Sequence, residues 1–249
     1  MVEQAEWFVS WFDSPYYHVL YKNRDEEEAQ GFIENLMHFI HPTKNSKVLD
    51  LACGSGRHSI YLARMELDVY GIDLSENSIS IAKKSEKQNL HFDIHDIRNT
   101  YKKNFFDLEL SLFTSLGYFS DEKDDSMTFK AMSDNLKPGG LLVIDFMNAR
   151  KIIQNLKEYE VKIVDGIEFK LQRNYTDGFI QKNISFEANN HIQNYTEKVR
   201  AFTFQDFEEY LNSNGVHIMK CFGNYDLEPY DENNSDRMIL IGRKNGNIN

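Results

Sequence analysis

The sequence predicts an α/β fold: a seven-stranded, mostly parallel sheet with helices on both faces, an antiparallel last strand and an inserted small antiparallel β-sheet. Three observations predict it. Short apolar runs alternate with helix-like segments between residues 47 and 148, as parallel strands joined by crossovers require. The run Val48-Leu49-Asp50-Leu51-Ala52-Cys53-Gly54-Ser55-Gly56-Arg57-His58 reads as strand, glycine turn and helix start. Farther on, Asp165-Gly166, Asp177-Gly178 and Asn189-Asn190 punctuate β-branched and aromatic stretches, which are hairpin signals.

The leader comes first. Trp7, Phe8, Trp11, Phe12, Tyr16, Tyr17, Leu20 and Tyr21 crowd a stretch broken by Pro15, and residues 25–39 read as an amphipathic helix with Phe32, Leu36 and Phe39 on one stripe. Such a leader packs on a sheet edge, or it closes as a lid whose Tyr16, Tyr17 and Tyr21 face a positive centre and exclude water.

The first strand ends in Asp50, four residues ahead of Gly54. Two glycines at a helix start let backbone approach a ligand, although alone they mark no more than a tight turn. The carboxylate narrows the choice: it repels a pyrophosphate and suits a ligand bearing an ammonium or sulfonium group. Residues 67–72 form a second strand with Asp73 at its end, 23 residues after Asp50, where a carboxylate can accept both ribose hydroxyls. Ser75 caps a helix running to about Lys87.

A third strand, 90–94, leads into His95-Asp96-Ile97, an order that suits an adenine: Asp96 accepts the exocyclic amine and the Ile97 N–H donates to a ring nitrogen. A fourth, 105–112, delivers Phe113-Thr114-Ser115-Leu116-Gly117-Tyr118 to the cleft. Asn135-Leu136-Lys137-Pro138-Gly139-Gly140 closes a helix before the fifth strand, 141–146, a continuous apolar run of the buried parallel kind.

Four antiparallel strands follow, at 159–164, 167–176, 179–188 and 191–202. Thr203 opens a helix with Asp206 three residues on, a variant capping box, and Phe204, Phe207, Tyr210 and Leu211 form its buried stripe. Asn214-Gly215 ends it. Residues 216–222 and 238–242 supply the last two strands around the acidic loop 226–236. The chain therefore divides into a leader or lid segment (1–46), a cofactor-binding core (47–150), an inserted sheet (151–202) and a C-terminal helix and hairpin that complete the core (203–249).

A length of 249 residues with 41% hydrophobic content supports one large domain with an insertion. The net charge of −11 argues against nucleic acid and against anionic membranes as partners. Cys53 and Cys221 lie far apart and indicate neither a disulfide framework nor a metal clip. The eight histidines form no HExxH grouping, so no metal is expected. Glu3 and Glu6 stand where a targeting segment would be basic, and no apolar run approaches the roughly 18 residues of a membrane span, so a cytoplasmic protein is expected.

Over residues 47–148 the chain closely resembles the class I S-adenosylmethionine-dependent methyltransferases, whose fold is Rossmann-like. Their first motif falls on residues 50–56, with Ala52 where many members carry glycine; their second-motif acid falls on Asp73, the adenine-side pair on Asp96 and Ile97, and the proline-glycine-glycine turn on residues 138–140. The post-strand segment 113–118 looks like that of small-molecule N-methyltransferases, including those acting on amino sugars and glycine. The resemblance implies S-adenosyl-L-methionine as cofactor, held by Asp50, Ala52, Gly54, Gly56, Asp73, Leu74, Asp96, Ile97, Phe113 and Thr114. It implies methyl transfer to a small-molecule acceptor, an amine or hydroxyl, by a monomer or homodimer whose inserted sheet roofs the substrate mouth or pairs subunits. Tyr118, Tyr17 and His18 are the candidates for accepting the acceptor's hydrogen bond or relaying a proton.

Two rivals stand beside this reading. A non-catalytic protein that binds the cofactor as sensor or partner subunit has the same signature. An NAD-dependent dehydrogenase shares the strand, turn and later acid, but its G-x-G-x-x-G would put glycine where Ser59 stands, and Asp50 opposes a pyrophosphate. No Asn/Asp-Pro-Pro-Tyr/Phe segment follows the fourth strand, which counts against methylation of nucleic-acid bases.

Overall fold

The computed structural model describes residues 6–22 and 26–246. The leader forms α1 (Trp7–Phe12), α2 (Pro15–Leu20) and α3 (Glu26–Ile40). Pro15 does not merely break the leader; it starts α2 at a position where a missing N–H costs nothing, with Ser14 as N-cap. The expected start of the third helix at Asp25 lies outside the described residues.

The core alternates β1 (Lys47–Leu51), α4 (Arg57–Arg64), β2 (Asp68–Asp73), α5 (Glu76–Ala82), β3 (Leu90–Ile94), β4 (Phe106–Ser111), α6 (Glu122–Asn135), β5 (Leu136–Met147) and α7 (Ala149–Gln154). The insertion is β6 (Tyr159–Val164), β7 (Ile167–Thr176), β8 (Phe179–Ala188) and β9 (His191–Arg200), and the chain closes with α8 (Phe204–Ser213), β10 (Val216–Phe222) and β11 (Arg237–Lys244). Seven strands form one sheet in the order β10-β11-β5-β4-β1-β2-β3, in which β11 runs antiparallel to both neighbours. Parallel β1, β2 and β4 all end at one edge, where the order of connection reverses; this is where open α/β sheets bind ligands.

Alternation along the strands feeds two cores. Val48, Val69 and Leu108 pack against α3, α4 and α5, while Leu49, Leu51 and Ile144 pack against α6 and α8. Phe39 does not share the buried stripe of α3 with Phe32 and Leu36; it is 43% exposed and meets Phe222 edge-on. Helix α5 ends at Ala82 and a single 3-10 turn, Lys83–Ser85, follows, so the helical segment stops short of Lys87. Strand β5 starts earlier than the apolar run suggests, at Leu136. Its pairing with β4 slips between Phe106 and Leu108, so the proline-glycine-glycine turn sits inside a bulge and not between helix and strand.

The inserted strands form a separate four-stranded antiparallel meander in the order β6-β7-β8-β9. Asp165, Gly166, Asp177, Gly178, Asn189 and Asn190 all have φ between 51° and 79°, the double left-handed geometry of a two-residue hairpin turn, which Asp, Asn and Gly tolerate best. One face of this sheet buries Phe169, Leu171, Ile184 and Phe186 against Trp11 and Leu20 of the leader. The leader is thus clamped between the inserted sheet and the core. Among the described residues, no helix is long and apolar enough to cross a membrane.

Candidate active site

A cavity of about 420 Å³ opens at the strand edge, walled by the β1 turn, the segment after β4, the leader and β9. The β1 turn is left-handed at Ala52 (φ 54°), Gly54 (φ 56°) and Gly56 (φ 83°). Ala52 holds a conformation in which a Cβ costs roughly 1–2 kcal/mol, the physical reason a glycine suits that position. At Gly56 no side chain fits, because a Cβ there would stand 2.5 Å from the Phe92 ring.

Asp50 is buried and accepts the Ser59 hydroxyl at 2.5 Å. Burial pushes its carboxyl up to about 7; the neighbouring charge of Asp73 adds to the rise and the Ser59 hydrogen bond opposes it. Asp73 accepts the Gly54 N–H and the Ser75 N–H, each at 2.8 Å, and so ties the β1 turn to the start of α5. Burial raises its carboxyl too, against those backbone hydrogen bonds.

Beyond β4, Phe113 and Thr114 both take left-handed φ, 58° and 62°. Asp145, fully buried near the end of β5, pins that turn: it accepts the Phe113 N–H at 2.8 Å and pairs with Arg237, whose Nε lies 2.8 Å away. Arg237 also donates to the Thr114 hydroxyl at 3.0 Å. The Phe113 ring stacks on His58 with centroids 4.6 Å apart.

The remaining wall is aromatic. Tyr118 packs with Trp7 at 5.4 Å and with Phe12 at 5.3 Å, and Phe12 meets Tyr17 at 5.0 Å. The Tyr118 hydroxyl donates to the Thr114 carbonyl. Into this wall β9 brings Glu197, which accepts the Trp11 indole N–H at 2.7 Å and the Tyr21 hydroxyl at 2.6 Å and pairs with Lys182. Burial works to raise its carboxyl, but the Lys182 charge and these hydrogen bonds outweigh it, and the group lies below the usual carboxylate range.

Of the residues singled out in the sequence, Asp50, Ala52, Gly54, Asp73, Phe113, Tyr118, Tyr17 and His18 line this one cavity. Gly56, Leu74, Asp96, Ile97 and Thr114 do not. Leu74 is 37% exposed, Ile97 packs against the α6 side of the core, and Thr114 faces Arg237. Asp96 is gripped by Arg98, whose Nε lies 3.0 Å from each carboxylate oxygen and which also bridges to Glu6. Burial would raise the Asp96 carboxyl, yet Arg98 holds it below its ordinary value. Tyr16 turns away and packs on Phe186.

Sequence reasoning missed Glu197, Lys182, Asp145, Arg237, Arg57 and His58. Glu197 had one usable signal: it alternates with Tyr195 and Val199 on β9, so a carboxylate occupies an inward position of an apolar face. Among the described residues no group of three or more His, Cys, Asp or Glu is placed to hold a metal ion, and Cys53 and Cys221 are free thiols.

A family model for the methyltransferase domain matches residues 42–200. The chain belongs to the methyltransferase-domain family. Within it, the motif resemblance to class I enzymes is borne out by the sheet order. YqeM of Bacillus subtilis (strain 168), which carries a methyltransferase name, is 29% identical over 217 residues, covering 82% of this chain and 87% of YqeM. A Streptomyces venezuelae dTDP-3-amino-3,4,6-trideoxy-α-D-glucopyranose N,N-dimethyltransferase is 31% identical over 102 residues, 40% of this chain and 42% of that enzyme. The crystal structure of an S-adenosylmethionine-dependent methyltransferase from Clostridium acetobutylicum ATCC 824 shares the fold, with TM-score 0.78 and 23% identity over 93% of this chain and 96% of that one.

Proposed function

We propose that the protein methylates a small-molecule acceptor, an amine or a hydroxyl, held between the carboxylate-tipped strand ends and the aromatic wall of the leader. The observation that carries this reading is the joining of both features in one cavity. When bound, S-adenosylmethionine supplies a methyl group on a cationic sulfur.

The residues fit such a donor. Asp73 has acceptor capacity left beyond its two backbone N–H partners and suits ribose hydroxyls. Asp50, with Ala52, Gly54 and Gly56 holding the backbone close, gives the cavity a negative potential that favours a positive ligand. Arg57 lines the same cavity and suits a carboxylate, while Phe113 and Thr114 shape the methionine side. The motif resemblance assigns Leu74, Asp96 and Ile97 to the adenine side, which on this reading extends past the lining of the cavity to the Asp96 carboxylate paired with Arg98.

Trp7, Phe12, Tyr17 and Tyr118 keep water from the reacting centre and hold the acceptor in line, from which most of the acceleration in a displacement of this kind derives. In this reading residues 1–46 act as a lid, 47–150 as the donor-binding core, 151–202 as a roof over the acceptor, and 203–249 complete the core. Tyr118, Tyr17 and His18 contact the acceptor. The Streptomyces venezuelae relative, named as an N,N-dimethyltransferase, supports nitrogen as the methylated atom.

Incubation with methyl-labelled donor and a panel of small amines and alcohols tests this reading, with mass spectrometry for the gain of one methyl. A methylated product is expected, and Tyr118→Phe should lower turnover more than donor affinity. Donor binding with no product from any acceptor would favour a non-catalytic binding protein.

A further inference from the structure

Glu197 is a carboxylate of the cavity that donor binding leaves unused. It stands on the wall made by the leader and inserted sheet, among Trp7, Phe12, Tyr17, Tyr118 and Val199. Three side chains hold it: Trp11, fully buried, and Tyr21 donate to Oε1, while the Lys182 ammonium pairs with Oε2 and also donates to the Tyr21 oxygen. A carboxylate oxygen accepts two hydrogen bonds, and among the described residues Oε2 has only Lys182, which leaves it an acceptor position. Because Lys182, Tyr21 and Trp11 stabilise its ionised form, Glu197 is a weak base and a standing negative charge. The aromatic faces around it attract positive charge as well.

We propose, resting on the methyl-transfer reading above, that the acceptor is an amine and that Glu197 orients it and stabilises the positive charge arriving on its nitrogen. The neutral amine donates an N–H to Oε2 and keeps its lone pair for the methyl carbon. As the C–N bond forms, the methyl–sulfur bond breaks and its electron pair stays on sulfur. Positive charge passes from sulfur to nitrogen, and the extra proton later leaves to solvent. The interaction with Glu197 therefore strengthens toward the transition state, as catalysis requires. A hydroxyl acceptor would need its proton removed, a task for which a carboxylate held this acidic is poorly suited.

The test loads the protein with S-adenosylhomocysteine and titrates choline against 3,3-dimethylbutan-1-ol, a pair of nearly the same shape that differs in charge, following tryptophan fluorescence. The cation is expected to bind about tenfold more tightly than the alcohol. In Glu197→Gln that preference should fall to within about twofold, while S-adenosylhomocysteine affinity and the melting temperature stay near wild type. Lys182→Met should keep the preference for the cation, since the carboxylate remains; a merely structural ion pair predicts loss in both variants. Equal binding of the two probes, binding of neither, or a cation preference that survives Glu197→Gln overturns the proposal. Binding of S-adenosylhomocysteine alone is read first by titration calorimetry; should wild type fail to bind it, the methyl-transfer reading falls, and that result separates the two failures.

Discussion

Asp50 makes donor binding pH-dependent, and the sign is set by the structure. The carboxyl is 2% exposed and lies near pKa 7 because burial raises it, with Asp73 adding and Ser59 opposing. A cationic ligand beside it favours the ionised form, so binding lowers that pKa and releases a proton. With a pKa of about 7, roughly 9% of the group is ionised near pH 6 and roughly 91% near pH 8. If only the ionised form accepts the donor, affinity rises about tenfold over that interval, ~1.4 kcal/mol. Titration calorimetry near those two pH values, in buffers of different ionisation enthalpy, reads both the affinity and the proton released, about half a proton per site near pH 7. Asp50→Asn should flatten the pH dependence. An affinity for S-adenosylmethionine that stays constant from about pH 6 to about pH 8 with no proton release would refute the reasoning.

Three further outcomes are expected. Asp73→Ala removes the acceptor for the Gly54 and Ser75 N–H groups and for the donor's hydroxyls, and should weaken donor binding by about 1–3 kcal/mol in a folded protein; unchanged affinity would take Asp73 out of that role. Gly56→Ala puts a Cβ against Phe92 in a left-handed backbone and should cost about 2–4 kcal/mol, read from denaturant midpoints, with Phe92→Leu recovering part of the loss; a wild-type midpoint in the single variant would show the turn to be more yielding. Glu109, fully buried in β4, has no hydrogen-bond partner for either oxygen among the described residues, and burial lifts its carboxyl well above 4.5, with the Lys244 charge opposing only in part. A folded-state pKa above the unfolded one gives stability that is present at low pH and lost as pH rises, so Glu109→Gln should gain about 1 kcal/mol or more over wild type near pH 8 and little near pH 4. Parallel stability curves for the two proteins would contradict this.

What was legible in the sequence was local. The two-residue hairpin turns, the Ser75 cap and the Thr203–Asp206 capping box are each dictated by residues within four positions of one another, and all stand in the structure. The strand-tip acids Asp50 and Asp73 were legible because they fall within the last two residues of β1 and β2, which reach the sheet edge whatever their other contacts. What stayed hidden depends on pairs far apart in the chain. Glu197 becomes an ordered charge only through Trp11 and Tyr21, 186 and 176 residues away, and Asp145 meets Arg237 across 92. The fixing of Asp96 by Arg98 was near in sequence, yet the same pair of residues serves equally in an exposed loop. Phe39 misled because its spacing matches the stripe of α3, whereas it meets the edge strand edge-on at Phe222 and stays 43% exposed.

The measurement that bears most directly on the carboxylate-tipped cleft is a calorimetric comparison of S-adenosylmethionine and NADH on one sample. Saturation of a single site by the sulfonium donor, with no heat from the dinucleotide, is the predicted result. Tight uptake of NADH with indifference to S-adenosylmethionine would contradict it.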